Sequence, residues 1–190
     1  MLKTHEKERC FWVTPDPLYI EYHDKEWGVP VYDDRILFEF LILEGMQAGL
    51  SWFTVLKKRP AFRECFDQFQ PEKIAVYDQH KIDTLMQDAR IIRNALKIQA
   101  TITNAQAFLK LTEQQSFSNY LWKFVDNKPM LNHWKNKADI PARTELSDKL
   151  SRDLKQRGFK FIGTTICYAF MQAVGMINDH TVDCFLHHST

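Results

Sequence analysis

The segment from Thr164 to Asp179, TTICYAFMQAVGMIND, is apolar almost all the way round a helical circumference. A helix without a polar face has to be covered on every side, so the rest of this chain must wrap it. The remaining segments suit that task. DDRILFEFLILEGMQAG offers Asp33 and Asp34 as N-caps and then runs apolar. LSWFTVLKKR follows it and is expected to stop at Pro60. PEKIAVYDQ places Pro71 at a first helical position. KIDTLMQDA and IRNALKIQATITNAQAFLKL form a helical pair across a tight turn, and SFSNYLWKFV is a shorter helix. TELSDKLSRDLKQRG begins with Thr144 as a cap and ends with Gly158 as the residue after the helix.

No segment alternates with period two. The fold class expected is therefore all-α. The 190 residues form one domain, 1–190, or two tightly packed lobes. Two stretches stand outside the helical reading. YIEYHDKEWGVP, Tyr19 to Pro30, packs tyrosines, a histidine, a tryptophan and three carboxylates into twelve residues without a clear amphipathic period. NKPMLNHWKNKADIPAR, 127–143, lacks periodicity and reads as a long connection.

A net charge of +1 gives no global pull toward nucleic acid or membrane, so any anion-binding face must be local. The first residues are too polar for a signal peptide, and no run of eighteen apolar residues occurs. A cytoplasmic protein that does not enter the membrane is expected. In a reducing compartment its four cysteines would be buried, metal-bound or catalytic rather than disulfide-linked.

His180 and Cys184 lie four apart, which on a helix puts both on one face. With Cys10 and His23 they make a Cys₂His₂ set suited to structural zinc. The competing reading is two buried thiols and two ordinary histidines, and His187 and His188 compete as ligands. Cys65 and Cys167 read as core.

Leu37, Leu41, Glu44 and Ala48 share a helical stripe, so Glu44 shares a face with core residues. A buried carboxylate near a helix C-terminus is unfavourable unless a cationic or donor-rich ligand offsets the cost. The alternative is a solvent-facing carboxylate at a frayed helix end. Trp52, Tyr19, Tyr22 and Trp27 either add flat π surfaces beside it or pack as ordinary core. Lys57, Lys58, Arg59 and Arg63 form one basic group, and Arg90, Arg93 and Lys97 another at the turn of the helical pair. Both fit phosphate contacts and both fit plain surface.

Four stretches carry a resemblance: ERCFWVTPDPLYIEYHDKEWGVP, LEGMQAGLSWFTVLKKR, IIRNALKIQA and RGFKFIGTTICYAFMQAVGMINDH. Over about residues 8–185 the chain resembles the bacterial 3-methyladenine DNA glycosylase I family. The resemblance implies a helix-hairpin-helix DNA glycosylase fold, with the hairpin near 80–110. It implies one structural zinc held by Cys10, His23, His180 and Cys184, joining the N- and C-terminal segments. It implies a monomer acting on double-stranded DNA with alkylated bases, excising 3-methyladenine to leave an abasic site. Glu44 would accept hydrogen bonds from the flipped base, Tyr22 and Trp52 would stack on it, and Trp12, Tyr19 and Trp27 would complete the pocket. Gly49 and Leu50 would enter the gap left in the duplex. DARIIRNALKI corresponds to the hairpin turn, where Arg90 replaces the usual glycine and puts a positive-φ turn in doubt.

The family lacks the aspartate that many relatives of the superfamily use, and no general base is named by the sequence. A zinc-dependent hydrolase or deaminase is a rival, but His23 is followed by Asp24 and Lys25 rather than forming a His-x-Glu pair. A non-catalytic DNA-damage-binding module is the second rival.

Overall fold

In the computed structural model, which describes residues 7–188, two helices form the centre. They are α2 (Asp34–Gln47) and α9 (Thr164–Ala173), and they pack on each other. Every residue of α2 from Leu37 to Met46 is buried. Asp33 caps its first turn by accepting the Ile36 N–H at 2.9 Å. Around this pair lie α1 (Pro17–Lys25), α3 (Trp52–Cys65), α4 (Pro71–Ile74), α5 (Gln79–Gln87), α6 (Ala95–Thr112), α7 (Phe117–Trp122) and α8 (Glu145–Gln156). α8 covers the outer side of α9, while α3 and α6 cover α2. The fold is all-α, as its periodicity predicts. No helix among the described residues is long and apolar enough to cross a membrane.

Local chemistry sets the helix starts. Ser51, Asp78, Asn94, Ser116 and Thr144 each accept a backbone N–H from the first turn they precede. Asp34 reaches across the fold and accepts the Phe117 and Ser118 N–H groups at 2.9 and 2.8 Å, docking α7 on α2.

Several expectations need correction. Tyr19–Lys25 is helical after all: Asp16 caps α1, with Pro17 at its first position. Its aromatic side chains face two sites at once, which erases an amphipathic stripe. α3 runs through Pro60 to Cys65. Pro60 is exposed, so its ring sits on the solvent side of the helix. α4 ends at Ile74 and α6 starts at Ala95, both shorter than their apolar patterns.

α9 stops at Ala173 instead of continuing to Asp179. The N–H groups of Gly28 and Val31 donate to the carbonyls of Gln172 and Val174, each at 3.1 Å, so the helix end is capped by the segment after α1. The chain then forms strand β2 (Ile177–Asn178), parallel to β1 (Met130–Leu131) from the aperiodic 127–143 connection. His180 lies in an irregular stretch and Cys184 among the turns that follow it, not on one helix, with the Cys184 N–H on the Thr181 carbonyl at 2.8 Å.

Candidate active site and metal centre

A cavity of about 240 Å³ opens beside the C-terminal half of α2. α1 supplies Tyr19 and Tyr22, its flanks supply Trp12 and Trp27, α2 supplies Glu44, and α3 supplies Trp52. All six pocket residues named from the sequence line this one space. Trp12 lies 5.0 Å from both Tyr19 and Trp27, and Tyr22 lies 5.4 Å from Trp52, measured between ring centroids. Phe40 stacks behind Trp52 and Phe53 behind Tyr19, fixing those planes.

Glu44 is 3% exposed, and its Oε2 has no hydrogen-bond partner. Burial pushes its carboxyl up to about 8. Trp52 Nε1 is likewise buried without a partner. A cavity walled by rings thus holds one unused acceptor and one unused donor. Since buried polar groups are nearly always paired, these atoms are arranged for something the cavity receives. Tyr19 and Tyr22 are both raised, first by burial and then by the Glu44 charge. The site favours an incoming cation with N–H donors and a flat face.

Below this cavity Cys10, His23, His180 and Cys184 bring their ligand atoms within 4.8 Å of one another, all four buried. Sulfur–nitrogen separations are 3.4 Å from Cys10 and from Cys184 to His180 Nδ1, and 3.5 Å from Cys184 to His23 Nε2. A tetrahedral ion with bonds of about 2.3 Å to sulfur and about 2.0 Å to nitrogen requires separations of roughly 3.5 Å. The residues fit such an ion.

Outer partners set the imidazoles. His23 Nδ1 meets Asp24 Oδ1 at 2.8 Å, and Arg9 grips both Asp24 oxygens. His180 Nε2 meets the Trp27 carbonyl at 3.2 Å. Because those partners accept, the opposite nitrogens carry the lone pairs, and they face the sulfurs. Gly28 permits this approach: a Cβ there would sit 2.9 Å from His180 Nε2, and its φ is +80°. The neighbouring sulfur drives the Cys184 thiol down and the Cys10 thiol up, as expected when two thiols share one site. His187 is committed elsewhere, with Nδ1 on the His180 carbonyl at 2.9 Å and Nε2 on His133 at 3.0 Å.

Residues 12–187 match the family model for methyladenine glycosylase. The chain belongs to the methyladenine glycosylase family. It is 54% identical to DNA-3-methyladenine glycosylase 1 of Escherichia coli, over 93% of this chain and 95% of that protein. It is 50% identical to the DNA-3-methyladenine glycosylase of Haemophilus influenzae, over 93% and 96%. A crystal structure of 3-methyladenine DNA glycosylase I superposes with a TM-score of 0.93 at 53% identity, covering 95% of this chain and all of that one. A tyrosine-to-phenylalanine variant of such an enzyme in complex with 3-methyladenine superposes with a TM-score of 0.90 at 40% identity, covering 93% and 96%.

In this methyladenine glycosylase family member α5 and α6 form the helical hairpin, joined by 88–94. Arg90 does not adopt positive φ, so the turn requires no glycine there. Asp88 accepts the Arg90 N–H at 2.9 Å, and the guanidinium pairs with Asp88 and Glu64. Lys58 Nζ donates to the Ala89 and Arg90 carbonyls, bracing the turn from α3. Arg93 is exposed on the same turn.

Lys97 is placed differently from the sequence expectation of a DNA contact. It is 7% exposed, and its Nζ donates to the Met46 and Ala48 carbonyls at 2.9 and 2.7 Å. It caps the C-terminus of α2 from the first turn of α6. Gly49 (φ +80°) and Leu50, 44% exposed, follow directly and are held at the rim by this cap. Two members of the other basic group are internally paired: Arg59 with Glu26 and Glu39, Arg63 with Glu39. Sequence reasoning missed Gln47 and Gln172, which also line the cavity. No local signal marks a glutamine on a helix as a pocket residue.

Proposed function

We propose that this protein is a monofunctional DNA glycosylase that hydrolyses the N-glycosidic bond of 3-methyladenine in alkylated double-stranded DNA, as the names of its relatives suggest. The observation that carries this reading is the unpartnered Glu44 Oε2, buried against aromatic planes in a cavity. A methylated adenine still attached to its sugar is cationic, flat and bears an exocyclic amine. Ionised Glu44 offsets its charge and accepts an N–H, while Trp52 and Tyr22 take its faces. Ordinary purines lack the charge and leave the carboxylate uncompensated.

The damaged nucleotide leaves the stack at reduced cost because it pairs and stacks poorly. Leu50 and Gly49 fill the vacated space, and Arg90, Arg93 and the hairpin approach the backbone. The C1′–N9 bond then breaks, its electron pair passes to the purine and cancels the positive charge, and water adds to the oxocarbenium-like sugar. The products are the free base, an abasic site and a proton. Recognition supplies most of the selectivity, since the leaving group is already activated.

Cys10, His23, His180 and Cys184 are proposed to hold one zinc ion. Four protein ligands close its shell, so its contribution is structural. The chain acts as a single glycosylase domain, a cytoplasmic monomer. Purified protein incubated with methylated DNA is expected to free 3-methyladenine and leave alkali-labile abasic sites. Glu44→Gln should lower release by about 10- to 100-fold, the scale of a lost charged hydrogen bond. Equal release by the variant, or binding of damaged DNA without any release, contradicts the proposal.

A further inference from the structure

Asp179 is 1% exposed and accepts four hydrogen bonds. Asn132 Nδ2 and Trp134 Nε1 donate to Oδ1 at 2.7 and 2.8 Å. The Tyr168 hydroxyl and Gln172 Nε2 donate to Oδ2 at 2.6 and 2.7 Å. A carboxylate already taking two donors on each oxygen fixes the neighbouring amide in one sense only. Gln172 must present its nitrogen to Asp179, which turns its Oε1 away. That oxygen has no hydrogen-bond partner among the described residues and is not among the buried, unpartnered atoms. Gln172 is half-buried and lines the same cavity as Glu44. Gln172 therefore carries an unused acceptor, on α9, among the residues that line the cavity with Glu44.

Resting on the glycosylase reading above, we propose that Gln172 is a specificity-determining residue that accepts the second N–H of the exocyclic amine and so selects 6-amino over 6-oxo alkylpurines. Glu44 alone attracts any cationic purine. An amine at position 6 offers two N–H groups and can satisfy both acceptors. A carbonyl at position 6 offers none and sets oxygen against oxygen. Asp179 is the positioning residue, because without a pure acceptor beside it the amide is free to turn and present its N–H₂. A site built to hydrogen-bond a group discriminates against an analogue lacking it more strongly than one that only packs against it.

The test uses two free bases that differ only at position 6, 3-methyladenine and 3-methylhypoxanthine. Their binding is followed by quenching of the pocket tryptophans. Wild-type protein is expected to prefer the amine. Gln172→Met keeps the volume and removes the acceptor. It should cut the preference by about 10-fold, mostly by weakening 3-methyladenine binding, on the scale of one hydrogen bond. The variant also gives up its donor to Asp179 and should melt below wild type, so 3-methylhypoxanthine binding at wild-type strength is the reading that separates loss of an acceptor from loss of structure. An unchanged preference, or equal weakening of both bases, overturns the assignment of Gln172 while leaving the glycosylase reading intact. A wild-type protein that neither binds 3-methyladenine nor frees it from methylated DNA overturns that reading, and this inference with it.

Discussion

At the residue scale the behaviour of Glu44 dominates. Its carboxyl releases a proton near 4.5 when unperturbed and near about 8 in the folded protein, because burial opposes the charge. Between those values the folded chain holds a proton the unfolded chain lacks, so stability falls as pH rises through the window. Glu44→Gln removes this dependence. The variant is expected to melt at a higher temperature than wild type at pH 8, by roughly 2–8 °C for a gain of about 1–2 kcal/mol, with the gap closing below about pH 5. A scanning calorimetry series across pH checks this, and a variant less stable than wild type at pH 8 contradicts it. In the proposed reaction the same carboxyl carries the opposite requirement. The ionised form offsets the cationic base, so kcat/KM should climb with pH and level off above about 8. In Glu44→Gln a rate profile without that climb is expected, and an identical climb would assign the titration to another group.

At the element scale α2 and α6 meet through Lys97. Its ammonium, on the first turn of α6, holds the last carbonyls of α2 and hence the Gly49–Leu50 rim. Lys97→Met is expected to lower excision by about 10-fold through misplacement of that rim, while the slope of log affinity against log salt stays as in wild type. Arg93→Ala should instead reduce the slope by about 0.9, the signature of one lost phosphate contact. A shallower slope for Lys97→Met would restore it to the DNA face. The carbonyl partners of Lys97 were not legible in the sequence, because they lie 51 and 49 residues away and a lysine beside two arginines looks like surface. The helices themselves were legible wherever a capping side chain preceded an apolar stripe, as at Asp33 and Thr144. α1 was not, because Tyr22 and His23 serve the cavity and the metal ligands from adjacent positions. The end of α9 was not, because its cap comes from the remote segment after α1. Glu44 was visible as a charge on a core stripe, while Gln172 became visible only through Asp179.

At the scale of the whole molecule, ligands from 10 and 23 meet ligands from 180 and 184, so the two ends of the chain are clasped beneath the pocket. The clasp also touches the pocket wall, since Trp27 lends its carbonyl to His180 and its ring to the cavity. Elemental analysis should find about one zinc per chain, and Cys184→Ser should melt at least roughly 5 °C below wild type, consistent with metal binding contributing directly to folding. A metal-free preparation with full thermal stability would contradict the clasp. The pattern of Cys and His in the sequence suggested this closure, but two alternative ligands had to be removed by geometry, one of them His187 with both ring nitrogens engaged.

Glu44, buried without a partner, is the acceptor proposed for a cationic purine. The most direct measurement is a ¹³C-detected pH titration of the Glu44 carboxyl, with and without 3-methyladenine. A titration at about 8 in the free protein and a marked drop on saturation with the base are expected. A carboxyl that titrates near 4.5 and does not respond to the base would contradict that role.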